Sequence, residues 1–304
     1  MMTMRQAAQI LGADWNGEDA WFTGVSTDSR TLQRGDLFIA LSGDRFDGGQ
    51  FVGSAMASGA AGAMIQQTAG NDDLPDGIPL IRVSDTRIGL GRLASHWRSR
   101  FTLPVIGVTG SNGKTSVKEM IAAILRQAVV SVDASDRDTS RLILATEGNL
   151  NNDIGVPLML LRLREQHRYA VIEMGMNHIG EIAYLTGLAR PHVTVITNAG
   201  AAHIEGLGSV EAVARAKAEI MSGLDARGIA VINTDDRYAS LWREYAGMHA
   251  TITFGLREHA DMSATYQSDR LTSNIQLRLP DGSVAVKLQA PGVHNVYNAL
   301  AAAA

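Results

Sequence analysis

The sequence predicts an α/β protein, in which a small N-terminal α/β domain precedes a doubly wound, mostly parallel central sheet with helices on both faces. Three observations point there. The segments Val105–Val108, Tyr169–Glu173, Val193–Thr197 and Ile229–Asn233 are almost continuously apolar, as strands covered on both faces are. Helical patterns lie between them, at roughly 116–127, 153–163, 180–188 and 209–224. The first of these strands runs through a glycine turn, Thr109-Gly-Ser-Asn-Gly-Lys-Thr-Ser116, into a helix with Val117, Met120, Ile121, Ile124 and Leu125 on one face.

The N-terminal part, residues 1–84, opens with a short helix from Met4 to Leu11 that Gly12 stops. Strand Leu37–Leu41, an alanine-rich helix from Phe51 to Ser58, and strands Gly62–Ile65 and Ile78–Val83 follow. Residues 85–103 form a linker whose helix carries Ile88, Leu90, Leu93 and Trp97 as an apolar stripe. The central domain takes 104–304. Its tail segments, Thr251–Phe254, Met262–Tyr266, Ser273–Leu279 and Val284–Leu288, read as antiparallel strands extending the sheet, with a Pro280-Asp-Gly turn. A last helix starts near Asn295, and the polar run Ser131–Arg141 is an insertion.

Composition narrows the function classes. At 304 residues, with 45% hydrophobic and 19% charged residues, the chain has enough apolar material for a large core. A net charge of −4 with interspersed signs gives no nucleic-acid surface. The absence of cysteine rules out disulfides and thiolate metal sites and fits a reducing compartment. No apolar run approaches membrane-spanning length, so a soluble cytoplasmic protein is expected.

Strand, glycine loop, Lys114-Thr115 and helix is an arrangement that cradles phosphates. Glycines admit backbone N–H groups to the anion, the helix start adds partial positive charge, Lys114 a full one, and the Thr115 hydroxyl can ligate Mg²⁺. The stricter pattern has a further glycine where this chain has Val108, leaving Gly110-x-x-Gly-Lys-Thr. Glu173 ends its strand at the same sheet edge, where a carboxylate either holds the Mg²⁺ of ATP or is simply solvated. His203 follows the next strand and is a structural loop histidine or a ligand. Lys217 falls in the apolar stripe Val210, Val213, Ile220, Leu224; it snorkels, meets a phosphate, or loses its charge by modification. Asn149, Asn151 and Asn152 form either a turn-and-cap cluster or a polar grip on a substrate phosphate or sugar.

Together these segments resemble the Mur ligases, ATP-dependent amide-forming enzymes of peptidoglycan precursor synthesis, over essentially the whole chain apart from the insertion. Thr109–Met120 with Gly148–Pro157 is similar to the members that join D-alanyl-D-alanine to UDP-N-acetylmuramoyl-tripeptide. The run Asn149–Asp153 favours these over sister enzymes adding the third residue, which share Asp28-Ser-Arg30 and Asp47-Gly48. The resemblance implies phosphate contacts from Gly110, Ser111, Asn112, Gly113, Lys114, Thr115 and Ser116, and an adenine contact from Asn295. It implies one Mg²⁺ at Thr115 and Glu173 and a second at His203 and Lys217, the lysine carbamylated by CO₂. Lys114, Glu173, His203 and Lys217 are the implied catalytic set. Asp28, Ser29, Arg30 and Asp47 are implied on the uridine-nucleotide side, and Asn149, Asn151 and Asn152 at the substrate. The implied setting is a cytoplasmic monomer serving cell-wall biogenesis, cell shape and division. The chain has Gly49 where the family commonly has histidine, and Ala304 falls in the helix that precedes the family's C-terminal, ATP-closing domain. Two further readings therefore stand beside the ligase: a UDP-precursor- and ATP-binding fragment without turnover, and a sister ligase adding a single amino acid.

Overall fold

The computed structural model describes residues 1–43, 46–67, 77–132, 141–202, 204–257 and 259–304, which divide into two units. The first unit comprises Met1–Phe101 with Asp153–Leu163, the second Thr102–Asn152 with Arg164–Ala304.

In the first unit five strands pair in the order Asp14–Asn16, Leu80–Val83, Gly62–Gln66, Asp36–Ile39, Gly24–Ser26. All neighbours are parallel except the first two. Helix Met4–Leu11 starts in a capping box, Thr3 and Gln6 each accepting the other's backbone N–H, and stops at Gly12 with φ of 62°. Helix Thr86–Arg98 starts on Asp85, whose carboxylate accepts the N–H groups of Arg87 and Ile88. Expected as a linker, this helix is built into the unit. Leu90, Leu93 and Trp97 are buried, whereas Ile88 of the expected stripe is half exposed. The Trp97 indole donates to the Leu163 carbonyl at 3.0 Å. Helix Gly155–Leu161, expected within the central domain, also belongs here and packs on helix Thr86–Arg98. Val156, Met159, Leu160 and Leu161 are all buried, and a helix apolar around its whole circumference needs cover on every side.

The second unit is built on six parallel strands in the order Ile143–Ala145, Tyr169–Glu173, Val105–Thr109, Val193–Ile196, Ile229–Asn233, Ala250–Phe254. The α/β class is as the sequence predicts. The glycine-turn strand Val105–Thr109 lies between the third and fourth strands of the chain, so winding reverses there and a crevice opens at the carboxyl ends. Val108, Val171, Val195 and Val231 meet Val117, Val296 and Leu300 from helices Lys114–Val132 and Val293–Ala303.

The tail differs from expectation. Ala250–Phe254 joins the large sheet as a parallel edge strand. Helix Ala239–Ala246, missed from sequence, supplies the crossover that parallel pairing requires. Ser263–Ser268, Ser273–Leu279 and Gly282–Leu288 form a separate three-stranded antiparallel sheet instead of extending the first. The outer edge of the large sheet is closed by two residues: the Asp261 carboxylate accepts the Thr253 N–H at 2.9 Å and hydroxyl at 2.7 Å, and Met262 makes a single parallel bridge to Phe254. Most of the insertion at 131–141 lies outside the described residues. No helix among the described residues is long and apolar enough to cross a membrane.

Candidate active site

Strand Val105–Thr109 delivers the glycine loop to the crevice, and two glycines allow the loop its shape. Gly110 has φ of 151° and Gly113 of 82°; a Cβ on the first would meet the Thr197 hydroxyl, on the second the Asn298 carboxamide. The next strand's loop braces this turn. Ser111 N–H donates to the Asn198 carbonyl at 2.9 Å, Asn112 N–H to Asn198 Oδ1 at 3.0 Å, and the Thr197 hydroxyl to the Asn112 carbonyl at 2.7 Å. Lys114, Thr115 and Ser116 then occupy the first turn of the helix, where backbone N–H groups have no intrahelical acceptors. Gly113→Ala is expected to cost about 1–3 kcal/mol through its left-handed backbone and the Asn298 clash, and to weaken ADP binding. Thermal melting and an ADP titration check this, and unchanged values in both would refute the assignment of Gly113 to the turn.

Three polar side chains converge at the end of strand Tyr169–Glu173. Glu173 is only 2% exposed, so it is not a solvated strand end. Its Oε2 accepts the Thr115 hydroxyl at 2.9 Å and its Oε1 the Asn151 amide at 2.8 Å. Lys114 Nζ donates to the Gly110 carbonyl at 2.9 Å. Burial lowers the pKa of Lys114, and the charge of Glu173 opposes that shift.

Lys217, on helix Val210–Ala218, is 1% exposed and so does not snorkel. Desolvation, reinforced by the nearby charge of Lys114, lowers its pKa to about 7. His203 lies outside the described residues. Asn151 reaches Glu173, while Asn149 is exposed on the preceding turn and gives its carbonyl to Asn151 N–H at 2.7 Å; Asn152 is exposed.

A cleft of about 690 Å³ adjoins the glycine loop. Asn112, Gly113 and Ser116 form one side, Asn295, Tyr297 and Asn298 another, with Asp235 and Arg257 between. Asp235 accepts the Tyr297 hydroxyl at 2.7 Å and the Leu256 N–H at 2.5 Å. Burial and this carboxylate push the Tyr297 phenol up to about 12. Asn298 Nδ2 donates to Asn295 Oδ1 at 3.3 Å. Beyond the glycine-loop residues Asn112, Gly113 and Ser116, only Asn295 of this lining was expected from sequence. The i, i+3 spacing of Asn295 and Asn298 on one helix face is the signal that points to Asn298; Asp235 and Arg257 are gathered by the fold alone.

Asp28, Ser29, Arg30 and Asp47 lie in the first unit, after strands Gly24–Ser26 and Asp36–Ile39. Arg30 grips Asp28 in a two-pronged pair, 2.9 and 2.7 Å, and holds that carboxyl at about 2. Asp47 Oδ1 accepts Gly49 N–H at 2.8 Å, capping the turn Gly48–Phe51.

A glycine loop between a central parallel strand and a helix start of a doubly wound sheet, with a buried carboxylate on its hydroxyl, defines a class of α/β protein, and comparison with known proteins specifies it. Residues 108–304 match the Mur ligase middle domain and residues 22–98 the Mur ligase family catalytic domain. The chain belongs to the Mur ligase family. It is 43% identical to the UDP-N-acetylmuramoyl-tripeptide–D-alanyl-D-alanine ligase of Escherichia coli (strain K12), matched over 100% of this chain and 64% of that protein. The Haemophilus influenzae protein of the same name is 40% identical, matched over 98% of this chain and 63% of its own length. Among solved structures, MurF from Acinetobacter baumannii superposes with a TM-score of 0.87 at 38% identity, covering 99% of this chain and 64% of that one. MurF ligase from Thermotoga maritima, solved in complex with ADP, gives 0.75 at 26%, covering 94% and 62%. The chain thus spans a little under two thirds of the length of these relatives.

Proposed function

We propose that this chain carries the nucleotide and acyl-donor apparatus of an ATP-dependent ligase that joins D-alanyl-D-alanine to UDP-N-acetylmuramoyl-tripeptide. The observation that carries the reading is the convergence of Lys114, Thr115 and buried Glu173 beside a polar cleft holding Asn295. The names of the relatives supply the substrates.

The tripeptide's terminal carboxylate attacks the γ-phosphorus of ATP, forming an acyl phosphate and releasing ADP. The amine of D-alanyl-D-alanine, having lost its proton, then attacks the acyl carbon; the amide bond forms and phosphate departs. Lys114 and the N–H groups from Gly113 to Ser116 bind the phosphates and offset charge gathering on the transferring group, while those of Ser111 and Asn112, also expected there, are engaged by Asn198. Asn295 and Asn298 orient the base in the cleft.

The oxygen donors Thr115 and Glu173 fit Mg²⁺, which keeps several waters and takes few protein ligands. Among the described residues no cluster of three or more acidic or histidine side chains is poised for a metal, and a Mg²⁺ shared with substrate phosphates needs none. Held by Thr115 and Glu173, it would supply positive charge that offsets the charge of the phosphates. Lys217 fits carbamylation: with a pKa of about 7 the buried amine is substantially neutral at physiological pH and nucleophilic towards CO₂, and the product is an anionic oxygen ligand. With His203 it would hold a second ion. Asp28, Ser29, Arg30 and Asp47 face the uridine nucleotide, and Asn149 and Asn152 the substrate.

The alternative reading is a binding module that holds the nucleotide and the UDP-linked precursor without turnover. Phosphate release separates the two. The chain receives ATP, Mg²⁺ and UDP-N-acetylmuramoyl-tripeptide, with and without D-alanyl-D-alanine, and with and without the region its relatives carry beyond the match. The expected result is release that needs both substrates and rises when that region is present. Silence in every arm would overturn the ligase reading.

A further inference from the structure

The rung that ends the strand pair Ile143–Ala145 and Tyr169–Glu173 is made in an unusual way. Thr146 N–H donates to the Val171 carbonyl at 3.0 Å, continuing the parallel ladder. The next bond of such a ladder runs from Glu173 N–H to the Thr146 carbonyl. Here Glu173 N–H donates to the Thr146 hydroxyl instead, at 2.9 Å. The Thr146 carbonyl, released from the ladder, accepts Lys118 Nζ at 2.8 Å. Lys118 also binds Glu119, and both Lys118 and Thr146 are only 1% exposed.

Two consequences follow for Glu173. Its backbone is held by a side chain, so the main chain of residue 146 is free to leave the sheet. The segment that leaves, Glu147–Asn151, turns back and sets Asn151 Nδ2 against Glu173 Oε1 at 2.8 Å, while the Asn151 carbonyl accepts Gly175 N–H at 2.7 Å. The other carboxylate oxygen, Oε2, faces Thr115. A buried ammonium is costly, and tying a helix to a strand could be done by apolar packing at lower cost. What apolar packing could not do is satisfy the carbonyl exposed by this swap.

We propose that Lys118 is a positioning residue for Glu173, acting through Thr146. By holding the Thr146 carbonyl it stabilises the hydroxyl-for-carbonyl exchange, which fixes the Glu173 backbone and directs Asn151 onto one carboxylate oxygen. The proposal rests on the reading of Thr115 and Glu173 as a divalent-cation site for a nucleotide.

The test uses Mn²⁺ as the probe, titrated into the chain with saturating ADP and followed by the loss of the free-ion EPR signal. Lys118→Met and Thr146→Val are each expected to weaken Mn²⁺ binding about 10-fold or more, the scale usual when a group orienting a metal ligand is removed. Thr146→Ser, which keeps the hydroxyl, is expected to restore most of that affinity. Amide exchange adds a metal-free readout: the Glu173 N–H is expected to exchange faster in Thr146→Val than in the wild type. A merely structural tie would lower Tm and leave the affinity of the folded protein unchanged. Wild-type Mn²⁺ affinity in both Lys118→Met and Thr146→Val overturns the proposal, and should Lys118→Met not fold, Thr146→Val decides alone. A wild-type chain that binds ADP without Mn²⁺ overturns the cation-site reading itself, and the proposal with it.

Discussion

Lys114→Ala is expected to lower ATP turnover by about 10³-fold, measured as phosphate release with both substrates present, while leaving the fold intact. Lys114 Nζ makes a single described hydrogen bond, to the Gly110 carbonyl four residues earlier, so its removal breaks no long-range tie. What it removes is a half-buried full charge in the crevice where the phosphates are proposed to lie. There a preformed charge acts at lower dielectric than in water and needs no reorganisation as phosphoryl charge shifts. The variant should also bind ATP more weakly, and its Tm should move little. A second effect follows from the proximity of the two lysines. Because the charge of Lys114 helps depress the pKa of Lys217, that amine should stay protonated to a higher pH in the variant. Turnover equal to wild type would refute the placement of Lys114 at the phosphates.

Lys217 is expected to show opposite effects on stability and activity. Its pKa falls from 10.5 to about 7 on folding, so between these values the unfolded chain holds one proton more than the native one. From this group, stability therefore rises with pH across that window and is lowest below about 7, where the native state must bury the charge. In CO₂-free buffer, Lys217→Met is expected to raise Tm at neutral and acid pH and to flatten that slope, because the thioether fits an apolar stripe without desolvating an ammonium. The same variant should lose turnover. Lys217→Ala should lose it too, with partial recovery in millimolar short carboxylates that stand in for the carbamate. Melting curves across pH, with phosphate release measured with and without formate or acetate, decide the matter. An active Lys217→Met would remove the lysine from the mechanism, and a lower Tm would show that its burial is compensated by a partner.

Much of the site was legible because its parts are contiguous. Gly110 to Ser116 is a local structure whose positive φ values and helix start are encoded within seven residues. Glu173 could be placed because an apolar strand ending in a carboxylate points to the sheet's carboxyl edge wherever that strand lies. Lys217 stood out as a cation in an apolar stripe, and the fold buries it. Asn151 shows the limit of that approach. Its run looked like a substrate grip, yet its amide is engaged by a carboxylate 22 residues away.

The sequence by itself determined the α/β class, the glycine loop before the helix, the strand-end carboxylate, the buried lysine and the family likeness. Each of these resides in residue type and short-range periodicity, which are properties of the chain before it folds. Only the tertiary structure decided the strand order, the inclusion of residues 153–163 in the first unit, the separate antiparallel sheet, and the meeting of Asp235, Arg257, Tyr297 and Asn298 around one cleft. The same holds for the exchange at Thr146, where Lys118 and Glu173, 55 positions apart, meet on one residue, the lysine at its carbonyl and the Glu173 N–H at its hydroxyl. The physical reason is common to all of them. Long-range pairing is selected by which apolar faces can be buried together and which buried polar groups find partners, and no local pattern contains that choice.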